Sequence, residues 1–377
     1  MKIEELKNEC TGCTACAFVC PKQCIDIKLD TEGFYFPVID KDRCISCKKC
    51  ETICHCLNQK EAVVNKTSYY GFSSDKKIRS ESSSGGAFSS LAQSILNTDG
   101  NVYGAAFDYT DLFLKHTCTD ECSLKNLRKS KYVESFLGNT FSKIQNDLNR
   151  GRKVLFCGTP CQVSGLKQIV KDENNLLLTV DFICHGVPSG KLLKEHLQHL
   201  HKKEKVLEID FRSKDHGWSG ENIVWLSRTE NSKRTLSYRF DPFYFGFMTC
   251  NAFLRRSCYK CRSREKHYSE ITIADFWGWR ELDAQLNDEK GLSLIIANNE
   301  VGKKFVEDMP NFELHKIDNK FSAYAYQNRD YSSAWILREK FFNTEASKGF
   351  EKAAQKTYMR GKRIEFLKYK LKQLLKI

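Results

Sequence analysis

No run of this 377-residue sequence is apolar for long enough to cross a bilayer. The longest, around LLLTVDFIC, falls far short of the roughly 20 residues a spanning helix needs. The N-terminal stretch MKIEELKNEC has no apolar signal core. Both absences set the expectation of a cytoplasmic protein. Missing as well is a G-x-G-x-x-G fingerprint between a strand and a helix, which argues against a nicotinamide-binding Rossmann dehydrogenase. The formal net charge is +13, yet residues 1–60 hold nine basic and nine acidic side chains, while residues 351–377 hold nine basic and two acidic. Most of the excess is therefore a C-terminal tail, and the overall charge makes no case for a nucleic-acid partner.

Cysteine is what the chain has in excess. Eighteen are present, ten of them before residue 57 and mostly two residues apart. A secreted disulfide scaffold would be shorter and would carry a signal peptide; this spacing suits ligation of metal by thiolates. Cys10, Cys13, Cys16 and Cys20, followed by Pro21, match the bacterial C-x2-C-x2-C-x3-C-P pattern, and Cys44, Cys47, Cys50 and Cys54 repeat it 34 residues later without the proline. Two-residue spacings wrap three thiolates round one face of a cubane, and the turn carries the fourth cysteine to the neighbouring cluster. The expected sets are Cys10, Cys13, Cys16 and Cys54 for one 4Fe-4S cluster, and Cys44, Cys47, Cys50 and Cys20 for the other. A pair of structural zinc sites is the alternative, but tetrahedral zinc has no need of a triple spacing twice over. His55 stands where the second proline would be. Cys24 and Cys56 are surplus thiols expected to pack against the clusters, with a substitute-ligand role for Cys56 as the sharper reading.

Between the motifs, IDIKLDTEGFYFPVID reads as a hairpin, and EAVVNKTSYYG as a connector to a second domain. From residue 66 the pattern becomes α/β. SSSGGAFSSLAQSIL reads as a helix entrance with Ala87, Leu91 and Ile95 on one face, and NVYGAAFDY as a strand. RKVLFCGTPCQVSGLKQIV and LLLTVDFICHGVPSGKLLKEHLQHL each read as strand, loop and helix. VLEIDFRS, NIVWLSR and EITIADFWG are further strands. The expected architecture is an α+β ferredoxin-like dicluster domain over residues 1–65, a larger α/β domain over 66–345, and a basic helical tail over 346–377 with Ile364, Leu367, Leu371 and Leu374 on one stripe. That tail is expected to pack on its own domain, with contact to an acidic membrane surface as the alternative.

The C-x2-C pair Cys258 and Cys261 is by itself compatible with zinc, a redox dithiol or chance. It gains weight beside Cys161 in GTPCQ and Cys184 in ICHG, both just after predicted strands, where α/β sheets build their sites. Two single cysteines and one pair make four ligands; Cys157 and Cys250 are competitors, and Cys118 and Cys122 read as structural.

The stretches GTPCQVSGLK, VDFICHGVPSG, LRRSCYKC and ITIADFWG, with SSSGGAFSSLA and LRKSKYVES, resemble the beta subunit of coenzyme F-420-reducing hydrogenases and dehydrogenases. The closer likeness is to bacterial relatives with a two-cluster ferredoxin domain fused in front, and it covers most of residues 1–280. The resemblance implies a flavin, usually FAD, and makes Cys161, Cys184, Cys258 and Cys261 the ligands of a third 4Fe-4S cluster. Three clusters would bring the net charge to roughly +7, because each four-thiolate cluster adds about two negative charges.

For a flavin phosphate, Ser83 and Ser84 offer hydroxyls, and Gly85 and Gly86 let backbone amides approach an anion at a helix N-terminus. An ordinary Ser/Gly helix cap is the alternative. Lys131 is either a cation for the phosphates or ring, or a solvated surface lysine. Thr159, Gln162, His185 and Gly186 sit on the two strand-end loops as flavin-ring neighbours. His185 is the candidate proton donor there, with a hydrogen-bonded structural histidine as the alternative. Asp275 and Trp277 frame the flavin, or cap the sheet and fill the core. The function expected is an iron–sulfur flavoprotein oxidoreductase that exchanges electrons with a ferredoxin-type partner and carries out a two-electron or hydride transfer on a small-molecule or glycan-linked substrate, as in polysaccharide biosynthesis. The alternative is an electron-transfer subunit without its own substrate.

Overall fold

The computed structural model describes residues 3–58, 66–220, 223–264, 266–326, 331–362 and 365. In chain order the strands are β1 (Ile25–Leu29), β2 (Tyr35–Ile39), β3 (Thr67–Ser73), β4 (Asn101–Asp108), β5 (Phe113–Cys118), β6 (Val154–Cys157) and β7 (Leu177–Phe182). They continue with β8 (Glu208–Ser213), β9 (Val224–Arg228), β10 (Lys233–Ser237), β11 (Ile271–Asp275), β12 (Ser293–Ala297) and β13 (Phe312–Ile317).

The N-terminal cysteine-rich module is built on the expected hairpin, in which β1 pairs antiparallel with β2 from Ile25↔Ile39 to Leu29↔Tyr35. Its sequence repeat is also a backbone repeat. Gly12 and Ser46 both take positive φ, as do Thr14 and Lys48, and short helices follow at Ala15–Val19 and Lys49–Thr52. Left-handed residues at those offsets turn the chain tightly enough to point successive cysteines inward.

An eight-stranded sheet ordered β13-β3-β12-β11-β7-β6-β4-β5 forms the body of the molecule. Its centre, β4-β6-β7-β11, is parallel, and antiparallel strands flank it on both sides. The central strands VLFC and LLTVDF are buried along nearly their whole length because helices cover both faces. One face packs Leu91 and Ile95 of helix Ala87–Leu96 on Leu155, Leu178 and Ile295. The other packs helices Thr140–Asn149 and Pro160–Ile169 on Val154 and Phe156. The carboxyl ends of β6, β7 and β11 therefore share one edge of the sheet, where ligand sites form in open α/β sheets.

A separate antiparallel sheet, β10-β9-β8, packs with helices Gly190–Leu200 and Pro242–Met248 in the largest core. The helix Trp335–Thr357 joins that core, kinked at Gly349, where φ is 73°. Here the structure corrects the sequence reading. The expected tail boundary at residue 346 falls inside this helix, and Phe350, Ala353 and Ala354 beyond it are buried with Phe341. The apolar period simply continues across 346, so no separate tail starts there. The stripe of Ile364, Leu367, Leu371 and Leu374 lies outside the described residues. Among the described residues, no helix is long and apolar enough to cross a membrane.

Candidate functional site

Cys161, Cys184, Cys258 and Cys261 line one cavity of about 40 Å³. Cys161 opens the helix after β6, Cys184 follows β7, and the pair lies in and after the short turn Arg256–Cys258. Burial pushes the Cys161, Cys258 and Cys261 thiols up, and mutual repulsion adds to the first two. Four thiols that repel one another as thiolates around a dry space fit a cationic cluster that would hold them deprotonated. Among the described residues, no three His, Cys, Asp or Glu side chains are spaced to hold a single metal ion.

Several of the N-terminal cysteines lie close enough to feel one another's charge. Burial raises Cys10, Cys13 and Cys16, and each is raised further by Cys54, although Cys54 lies more than 30 residues on. In the second group Cys50 feels Cys20, and Cys24 feels both Cys20 and Cys44; Cys47 is exposed. The surplus thiols are buried beside the crossing ligands. Cys24 Sγ lies 3.3 Å from Cys20 Sγ, and Cys56 donates to Cys54 and to Glu9 O at 3.2 Å. In place of the missing proline, buried His55 fixes its turn by a 2.9 Å hydrogen bond to Thr11, and burial holds its pKa down at about 4.

A larger cavity, about 500 Å³, opens along the same sheet edge. Ser83, Ser84, Gly86 and Lys131 line one end; Thr159, Gln162, His185 and Gly186 line the other; Asp275 and Trp277 lie on its wall. Gly86, with φ 99°, begins helix Ala87–Leu96 without a side-chain cap of its own, although Ala87 N donates to Ser293 Oγ at 3.5 Å and Ser89 N to Gly86 O at 3.0 Å. Ser83 Oγ accepts from Ser130 N at 2.7 Å, and Ser84 Oγ donates to Leu292 O, so both hydroxyls already have protein partners. Gly85 is the correction in this loop. It does not line the cavity; a Cβ there would come 2.4 Å from Gly71 O and 2.7 Å from Ser293 N, so its role is close packing on β3 and β12. Lys131 is no solvated lysine: burial lowers its pKa to about 8, and its Nζ donates to Arg128 O at 2.5 Å and Lys129 O at 3.2 Å.

At the other end, Thr159 and Gln162 form a capping box, with Thr159 Oγ1 3.1 Å from Cys161 Sγ. His185 Nε2 meets Asn251 Oδ1 at 2.7 Å, and Tyr331 Oη meets Nδ1 at 3.0 Å. Both ring nitrogens are thus engaged within the protein, the structural alternative for this residue, and donating a proton to a substrate would require release of Asn251. Asp275 accepts from Arg212 at 3.0 Å, and Trp277 stacks on Trp218 with centroids 4.7 Å apart. Of the competing cysteines, Cys157 lines this larger cavity and Cys250 packs on the main core. Cys118 is buried in the core with Val154 and Phe156, and Cys122 packs against the separate core of Leu91 and Leu155.

The two cavities share a wall. Ser135, Thr159, Gln162, Cys184, Gly186 and Val187 line both. Sequence reasoning missed Ser135, which accepts from Gln162 Nε2 at 3.1 Å, and Arg212, which ends β8. Arg212 alternates with apolar residues in VLEIDFRS just as Glu208 and Asp210 do, so the run held no signal that set it apart.

Residues 151–320 match the family model for the C terminus of the coenzyme F420 hydrogenase/dehydrogenase beta subunit. The family resemblance is borne out over that stretch. It contains all four cysteines of the smaller cavity and the loops of Thr159, His185 and Asp275; Ser83, Lys131 and the N-terminal cysteines precede it. Among solved structures, a chain of the F420-reducing [NiFe] hydrogenase complex from Methanosarcina barkeri is similar at 16% identity and a TM-score of 0.47, over 76% of this chain and 95% of that one. Comparison with the curated proteins gave no match.

Proposed function

We propose that this chain is an iron–sulfur flavoprotein oxidoreductase in which two N-terminal 4Fe-4S clusters exchange electrons with a ferredoxin-type partner and a third serves a flavin. The observation that carries this reading is the shared wall: Thr159, Gln162, Cys184 and Gly186, which follow β6 and β7, line both the four-cysteine cavity and the 500 Å³ cavity. Cys161, Cys184, Cys258 and Cys261 would hold the third cluster. The helix start at Gly86, with Lys131, would hold the flavin's phosphates, and Thr159, Gln162 and Gly186 would border its ring. A bound flavin supplies the junction between one-electron and two-electron chemistry. His185, fixed by Asn251 and Tyr331, orients the loop between the two cavities.

Replacing Lys131 tests the larger cavity. Lys131→Met should weaken flavin retention at least tenfold, as expected for loss of a desolvated cation beside a phosphate, about 1.4 kcal/mol or more, while the iron content stays that of the wild type. A wild-type protein that binds no flavin at any concentration would remove the flavin from the account and leave an electron-transfer subunit.

A further inference from the structure

Arg255 is almost fully buried, at 1% exposure, and belongs to neither expected ligand set. Its guanidinium reaches across from the large domain into the N-terminal module. Nε donates to Cys10 O at 2.7 Å, and Nη2 to Tyr35 O at 2.8 Å and to Cys10 Sγ at 3.7 Å. Nη1 donates to Glu134 at 2.5 Å, and Glu134 in turn accepts from Tyr35 N at 3.0 Å. The backbone of Arg255 is equally placed: its N–H donates to Val187 O, and its carbonyl accepts from Cys258 N. Arg255 therefore lines the four-cysteine cavity together with Thr11 and Gly12 of the first cysteine motif. Cys13 of that motif packs on Gly165, one turn along the helix that Cys161 opens.

We propose that Arg255 couples the cluster of Cys10, Cys13, Cys16 and Cys54 to the cluster of Cys161, Cys184, Cys258 and Cys261, by standing as one fixed cation between the two thiolate sets. This rests on the third-cluster reading above. Each reduction adds one electron and one negative charge, with no bond made or broken and no proton moved. Of the Arg255–Glu134 pair, the guanidinium faces the Cys10 thiolate while both members line the wall of the other cavity, so a reduced cluster would be favoured most on the Cys10 side. The N–H···S contact favours the more electron-rich cluster for the same reason.

A loosened interdomain clamp would move potentials only through solvent exposure, so Glu32→Ala, which frees the same module without touching Arg255, is titrated alongside and should keep the wild-type midpoints. The wild type, Arg255→Lys and the double variant Arg255→Gln/Glu134→Gln would be reconstituted anaerobically, counted for iron and titrated by EPR-monitored potentiometry. The double variant removes both buried charges together, which avoids stranding Glu134. The net charge of the pair is unchanged, so the variant removes its directed dipole and the Nη2–H contact to Cys10 Sγ; the midpoint of the Cys10 cluster should fall by at least threefold in the one-electron equilibrium, about 28 mV for n = 1. In Arg255→Lys one ammonium cannot serve Cys10, Tyr35 and Glu134 together, so the Cys10 cluster should shift by about threefold. The cluster of Cys20, Cys44, Cys47 and Cys50 should keep its wild-type midpoint in both. Wild-type iron near eight per chain would overturn the third-cluster reading and this proposal with it. Iron near twelve with midpoints within twofold of wild type would overturn the proposal alone. If the double variant does not load, Arg255→Lys decides by the same criterion.

Discussion

Single side chains decide which metal sites the chain can fill. Gly165 is an example: an added Cβ would sit 2.9 Å from Cys13 Sγ, closer than carbon and sulfur tolerate. Gly165→Ala should therefore displace Cys13 and reduce the iron held by the N-terminal module. Cys258→Ala should instead cost about four irons, one cubane, and leave the N-terminal EPR signals intact. Loss of all iron in that variant would contradict independent sites. Lys131 adds a pH dependence. Burial depresses its pKa from 10.5 to about 8, so the cost of the buried charge is present below pH 8 and relieved as pH rises towards 10.5. Affinity for an anionic ligand should run the other way, constant below pH 7 and falling above pH 8 in a binding titration. The candidate ligand cysteines could be named at this scale because spacing is a sequence property. Arg255 and Ser135 were not. Their partners, Cys10 at 245 residues' distance and Gln162 at 27, meet them only through the fold.

Elements are held by buried polar links as much as by apolar packing. His196 of helix Gly190–Leu200 contacts Asp241, which caps helix Pro242–Met248, and Glu351 of the last helix. Burial alone would depress its pKa, but the two carboxylates raise it to about 10. The charged histidine's contribution is thus fully present below about pH 6.5 and lost as pH rises through 10. His196→Gln should cost about 3 kcal/mol in denaturant unfolding at pH 6, with a smaller gap from wild type at pH 10. Glu32, at the hairpin turn, pairs with Arg338 and with Arg256 at 2.7 Å, which pins the N-terminal module to the last helix. Glu32→Ala should raise proteolysis between the module and the main body without altering the cysteine sets. The four central strands of the large sheet, β4, β6, β7 and β11, were readable because apolar runs such as VLFC and LLTVDF end at turn residues; β3 lies largely in the stretch expected as a connector, and β5, β12 and β13 were not among the expected strands. The boundary at residue 346 was misplaced because charge density in the tail said nothing about which apolar positions the core would claim.

Across the whole molecule the sites fall in order. Cys47 is exposed, Cys13 packs on the helix that Cys161 opens, Arg255 contacts Cys10 through its side chain and Cys258 through its backbone carbonyl, and the smaller and larger cavities share lining residues. The outermost cluster is thus the inlet of a proposed wire, and the 500 Å³ cavity its terminus. The repeat of the N-terminal motif was legible down to its backbone, since the left-handed residues recur at the same 34-residue offset as the cysteines. The shared wall was not, because it is a property of sheet order: β6 and β7 had to be neighbours for their loops to meet. The central claim is that this one chain holds three clusters and a flavin. Anaerobic purification with iron and released flavin quantified per chain tests it most directly. About twelve irons and one flavin are predicted; about eight irons with no flavin would contradict the account.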